Sequence, residues 1–244
     1  ALVPSRAVET RGMLLDADAI PGDEAGVRQL VRDLEAAGFN LLMPEAIRRG
    51  YGVFPSRILA RDASFRDKPD ILAIMIDEAH RRGMAVSPWV WSFRVRSFDD
   101  KRDFGNPVLG LLPSLAARSE NTTKPRFLSA SMPGSRSFMK LVLKDLLDRY
   151  DVDGLLLDYI RYDEETPDDD ASRTQFQLER LGLARPSTFM APRPSGTSDE
   201  ARRRDYQIWR EVQVSQFVAD VSAMCRQRNR PVPLAVATFR GEAY

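Results

Sequence analysis

Four carboxylates stand where apolar strand signals end. Asp16 closes the run 13–16, and Glu45 follows the run 39–43. Asp158 ends Asp153-Gly154-Leu155-Leu156-Leu157-Asp158-Tyr159, and Glu242 follows the run 233–239. An aspartate after three leucines in a buried strand is costly unless its side chain is used, so Asp158 is read as functional. Asp16, Glu45 and Glu242 are read either as acid–base groups or as members of structural ion pairs. Asp153 shapes the turn before Gly154. The third strand signal ends Trp89-Val90-Trp91-Ser92-Phe93-Arg94, and alternation places Trp89 and Trp91 on one side. Aromatics at a strand mouth suit stacking on the apolar faces of sugar rings, or packing in the core. Tyr51, Tyr159, Arg161 and Tyr162 fall near the same rim. Arg94 and Arg161 either bind a carboxylate or sugar hydroxyls, or pair with the acids above.

Other chemistries lack their residues. The one histidine, His80, sits near the end of a helix signal and reads as surface. The one cysteine, Cys225, reads as a small buried side chain, with no partner for an internal disulfide. Histidine triads, Cys/His dyads and His- or Cys-built zinc sites are excluded within this chain. The sequence has no Gly-rich phosphate loop, no nucleophile-elbow serine and no cluster of metal ligands. The expected site therefore uses carboxylates, with neither metal nor cofactor.

The elements that must position these groups alternate. Strand signals at 13–16, 39–43, 84–91, 154–159 and 233–239 are separated by helix signals at 25–37, 69–82, 135–150 and 206–228. Gly38 and Gly83 stop the first two helices. The order β-α-β-α-β-α-β-α-β predicts parallel strands, buried on both faces under covering helices. Long loops at 95–134 and 163–204 leave the C-terminal ends of strands, where sites on such sheets are built. The charge runs 168–170 and 202–204 read as solvated surface.

The 244 residues, 43% hydrophobic and 29% charged, suffice for one domain, 1–244. A net charge of +1 gives no electrostatic grip on nucleic acid. No run reaches the ~18 apolar residues of a membrane span, and no signal peptide is visible from Ala1 onward. Five strands fit either an open doubly wound sheet or part of a barrel.

A family resemblance favours the barrel. Tyr150-Asp151-Val152-Asp153-Gly154-Leu155-Leu156-Leu157-Asp158-Tyr159-Ile160-Arg161-Tyr162 resembles the YDVDGIHLDYIRYP signature of the glycosyl-hydrolase-like ten family, a TIM-barrel group. Thr10-Arg11-Gly12-Met13 is similar to the family's first strand, Gly38-Phe39-Asn40-Leu41-Leu42 to its second, and Gly83-Met84-Ala85-Val86-Ser87-Pro88-Trp89 to its third. Phe127-Leu128-Ser129-Ala130 with Pro133, Ile208-Trp209-Arg210-Glu211, and Leu234-Ala235-Val236-Ala237 follow in the family's order. The family's third-strand histidine is Ser87 here, and the asparagine often found two residues after its tryptophan is Trp91. The resemblance implies a parallel (β/α) TIM-type barrel of which the N-terminal five strands are present and the remainder is missing. It also implies an extracytoplasmic glycoside hydrolase acting on cell-envelope polysaccharide, such as peptidoglycan strands stripped of their peptides. The rival readings are a glycan-binding barrel without turnover and a structural envelope component. The spacing Asp-Gly-three residues-Asp also resembles the fourth strand of the α-amylase clan. There the second aspartate is the nucleophile and the acid lies on the fifth strand, positions occupied by Asp158 and Glu242. The arginine usual two residues before that nucleophile is Leu156, and Ile160 stands where chitinase-type motifs carry their acid.

Overall fold

The computed structural model describes residues 9–96, 106–119, 124–163, 168–185, 196 and 198–238. Five strands lie side by side in chain order: β1 (Gly12–Leu15), β2 (Leu41–Arg48), β3 (Trp89–Trp91), β4 (Leu155–Asp158) and β5 (Leu234–Val236). Every adjacent pair among them is parallel. Ala85–Val86 also pairs with β2, ahead of β3. Pro88 has no N–H for the ladder, which splits the strand expected over 84–91. Tyr51–Gly52 folds back antiparallel on the end of β2.

Helices α1 (Glu24–Ala36), α2 (Ile71–Arg81), α3 (Pro133–Arg149), α4 (Asp170–Arg180) and α5 (Asp199–Arg226) fill the connections. Asp23, Asp70, Asp169 and Ser198 each cap a helix by accepting the backbone N–H three residues on. Gly38 and Gly83 follow α1 and α2 in left-handed backbone, at φ +88 and +69.

Register divides the sheet into two unlike faces. Leu42, Val86, Val90, Leu155 and Leu157 are fully buried in the core, together with Val27 and Val31 of α1 and Phe217 and Val221 of α5. The other face follows the pairings Leu14↔Met43, Glu45↔Trp89, Trp89↔Leu156, Leu156↔Ala235 and Trp91↔Asp158. On it Leu14 is 53% exposed and Ala235 is exposed. The expectation of burial on both faces is thus corrected. Helices seal one face, and the concave one stays open among the described residues, as in a barrel that has not closed.

The stretch 163–204, expected as loop, contains α4 and the first turns of α5, and 95–134 contains a short helix, Pro107–Leu111. The reading of 168–170 as solvated charge is corrected at Asp169, while Asp168 and Asp170 keep half-exposed side chains. Asp169 is fully buried and accepts Ser172 N at 3.0 Å and Ser129 Oγ at 3.3 Å. Asp169→Ala removes that cap and leaves buried donors unpaired, so it should cost about 2 kcal/mol in urea unfolding. A loss below ~0.5 kcal/mol would show that the cap is dispensable. His80 is no simple surface residue. Its Nε2 lies 2.8 Å from Asp153 Oδ2, which also accepts Val86 N at 2.8 Å. Cys225 is fully buried, as its type suggests.

Candidate active site

The end of β4 carries the carboxylate on which the site centres. Asp158 is half-buried on the open face. Its Oδ2 accepts the indole N–H of Trp89 at 3.0 Å, and its Oδ1 accepts the backbone N–H of Tyr159 at 2.7 Å. Two donors from two strands therefore fix the plane of the carboxyl group. The ladder continues past it, with Ser92 N donating to Asp158 O at 2.8 Å and Phe93 N to Tyr159 O at 3.2 Å.

Tyr159 then adopts φ +51, a left-handed conformation that costs a non-glycine residue about 1 kcal/mol or more. The turn puts its ring against Trp91, with centroids 4.8 Å apart and planes tilted by 52°. Buried Arg94 lies over both rings, at 4.7 Å from Tyr159 and 4.9 Å from Trp91. Its Nε donates to Arg96 O at 3.0 Å. Arg161 reaches the Tyr159 ring at 5.5 Å. Trp91 Nε1 is buried with no acceptor among the described residues.

A second carboxyl group shares the face. Glu45 pairs in register with Trp89, and a β-bulge follows it at Glu45/Ile47, a device common beside functional sites. Glu45 is 3% exposed. It accepts Ala17 N at 3.0 Å, while Arg48 Nη1 stands off at 3.8 Å. Arg48, itself buried, makes its close contacts elsewhere, at 2.8 Å to Asp18 and 2.9 Å to Asp62. Burial consequently raises the Glu45 pKa, and the Ala17 N–H and Arg48 only partly oppose it. Asp16 is exposed just beyond β1, and its charge pushes Glu45 the same way. Two strand spacings of ~4.8 Å separate β2 from β4, and Glu45 lies level with Leu156, two residues short of Asp158, so the two acids stand roughly 12 Å apart by backbone with Trp89 between the strands.

The remaining expected residues divide. Tyr51 lies half-buried on the turn-back strand at the end of β2. Tyr162, expected at the rim, is built into the seam with α5. Its hydroxyl meets Ser131 Oγ at 2.6 Å and donates to Arg210 O at 3.1 Å, and the Arg210 guanidinium lies 3.9 Å over its ring. Burial pushes the Tyr162 hydroxyl up to about 12. Glu242 lies outside the described residues. Among the described residues, no group of three or more His, Cys, Asp or Glu could hold a metal ion, and no helix is long and apolar enough to cross a membrane.

A family model described as Glycosyl hydrolase-like 10 matches residues 14–239. The chain belongs to this family. Among curated relatives of this glycosyl hydrolase-like 10 chain is Glycosyl hydrolase DigH of Escherichia coli (strain K12), 28% identical over 145 residues. That alignment covers 54% of the chain and 33% of DigH, so the chain matches about a third of its curated relatives' length. Solved structures supply fold neighbours. α-L-fucosidase isoenzyme 2 from Paenibacillus thiaminolyticus has a TM-score of 0.66 at 15% identity, covering 95% of this chain and 33% of that one. The β-galactosidase from the psychrophilic Marinomonas ef1 has a TM-score of 0.60 at 11% identity, covering 93% and 37%. The α-galactosidase from Lactobacillus brevis has a TM-score of 0.53 at 14% identity, covering 93% and 27%. At these identities the likeness is one of fold, and the fold is the parallel TIM-type barrel.

Sequence reasoning missed Arg48 as the organiser of the acids around Glu45, and Trp89 as a donor to Asp158. The signal for Arg48 was present: an arginine three residues after a strand-end glutamate, with Asp18 and Asp62 available to it. In this glycosyl hydrolase-like 10 chain the Trp89 contact depends on a register across 69 residues, which no local pattern reveals.

Proposed function

We propose that this chain carries the catalytic centre of an extracytoplasmic glycoside hydrolase whose substrate is an envelope polysaccharide, peptide-free peptidoglycan strands being the leading candidate. The observation that carries the reading is Asp158, held at the mouth of β4 by Trp89 and Tyr159 N–H donors and facing an open concave surface. Glycosidases commonly use one carboxylate to attack the anomeric carbon or activate water, and one carboxylic acid to protonate the leaving oxygen. Asp158 takes the first role. Glu45 takes the second, because burial keeps its proton to higher pH than an ordinary glutamate. Glu242 is the alternative donor, and Glu242→Gln separates the two. Trp91, Tyr159, Arg94 and Arg161 contact the sugar, with Tyr51 and Asp16 at the edge of the same mouth. The two carboxyl groups supply the chemistry without a cofactor. On this reading, further β/α units cover the exposed Leu14 and the outer edges of β1 and β5.

The test is release of new reducing ends from peptide-free glycan strands. Turnover supports a hydrolase, whereas binding without turnover supports a glycan-binding barrel. Neither binding nor turnover on any envelope glycan would leave only a structural role.

The two tryptophans should separate in kinetics. Trp91→Ala removes a stacking face and should weaken glycan binding roughly tenfold, about 1.4 kcal/mol, with the fold retained. Trp89→Phe keeps a ring but removes the N–H on Asp158, so kcat should fall about tenfold with KM little changed. Equal effects of both on binding alone would return Trp89 to a purely stacking role.

A further inference from the structure

A groove of about 500 Å³ lies between α4 and the first turns of α5. Both walls belong to the connection from β4 to β5. Because those strands are parallel, α5 starts on the side where β4 ends, the side of Asp158. Tyr206 ties the walls together by donating to Asp168 Oδ1 at 2.7 Å, and its ring meets Phe176 at 5.1 Å.

The lining combines flat apolar rings with cations. Arg173, Arg180, Arg202 and Arg203 line it against a single carboxylate, Asp168. That carboxylate is already engaged by the Tyr206 hydroxyl, with Arg173 at 3.5 Å. Arg173 also reaches Asp170 at 3.2 Å, and Arg202 pairs with Asp199. Both are exposed pairs, which contribute little and exchange readily for another anion. Arg180 donates one amino group to Gly196 O at 2.9 Å, while its Nη1 is buried with no acceptor among the described residues. Leu181 stands 70% exposed at the lip. The groove thus offers apolar ring surface and an excess of guanidinium groups, a set that suits a sugar ring bearing a carboxylate.

We propose that this groove is a second saccharide subsite that binds the carboxylate of an acidic sugar residue in the same glycan that reaches Asp158. The proposal rests on the glycan reading above and names the class of sugar the chain selects. Arg202 and Arg203 touch none of the groups assigned to catalysis, so their replacement leaves the strand mouth intact.

Calorimetry on the Asp158→Asn chain, which excludes turnover, tests it. The probe is the peptide-free peptidoglycan tetrasaccharide, with its lactyl carboxylates free or converted to amides. The free acid should bind at least tenfold more tightly than the amide, and raised salt should shrink that difference. Arg202→Ala combined with Arg203→Ala should abolish the preference while binding of the amide holds. Absence of measurable binding, equal affinity for acid and amide, or a preference that survives the double replacement would overturn the subsite. So would tighter binding of a single-stranded oligonucleotide that is lost in the same variant. A failed subsite with turnover intact leaves the hydrolase reading standing. A confirmed subsite on a chain that never releases reducing ends refutes the hydrolase and keeps the groove.

Discussion

Asp158→Asn is expected to lower kcat by roughly 1,000-fold or more while stability and KM stay close to those of the parent. The amide preserves shape but keeps a single acceptor oxygen, so it accepts one of the Trp89 and Tyr159 N–H groups and turns its NH2 toward the other, a loss of about 1 kcal/mol that leaves the packing of the strand mouth in place. What disappears is the charge that attacks or activates water. Initial rates of reducing-end release, alongside a urea melt, check both halves. A melt shifted by several kcal/mol would mean that Asp158 is a structural acid, and a full rate would remove it from the mechanism.

The second large effect concerns Glu45 and pH. Its folded pKa is raised by burial, so a proton donor in this position works while protonated and fails as pH climbs through that value. The alkaline limb of kcat/KM should therefore belong to Glu45. Glu45→Gln should cost roughly 100- to 10,000-fold on a natural glycan, and far less on a substrate whose leaving group needs no proton. Arg48→Met removes one of the groups that oppose the shift, so it should move the limb to higher pH. Stability follows the same sign. A raised folded pKa gives a contribution that is complete below the unfolded value and lost as pH rises through the folded one. Glu45→Gln should flatten that decline. If the limb is unmoved in Glu45→Gln and vanishes in Glu242→Gln, the donor is Glu242.

Much of the fold was legible because a covering helix must carry an apolar stripe and a central strand must be apolar. Val27, Leu30, Val31 and Leu34 announce α1, and three successive leucines announce β4. Alternation implied parallel strands, and the family resemblance chose the barrel order over a doubly wound one. Helix α4 was not legible, since its sparse apolar residues, Phe176 and Leu178, lie behind a run of aspartates that looks like solvated surface. Only the buried contacts of Asp169 with Ser172 and Ser129 reveal that run as a cap. At the site, residue type and strand-end position brought out Asp158, Glu45 and Trp91. Their electrostatics did not follow, because the Glu45 shift comes first from burial, which only the packed fold reveals, with Arg48 opposing it in part while making its close contacts to Asp18 and Asp62. Tyr162 was misplaced for a related reason. Four residues beyond Asp158 the chain has left the strand, and alternation no longer says where a side chain points.

A crystal structure of the Asp158→Asn chain with the peptide-free tetrasaccharide tests the central claim most directly. The account predicts a sugar ring packed on Trp91, with its anomeric carbon within about 3.5 Å of the side chain at position 158. A saccharide bound with no ring at the mouth of β4, or with its glycosidic bonds out of reach of that side chain, would contradict it.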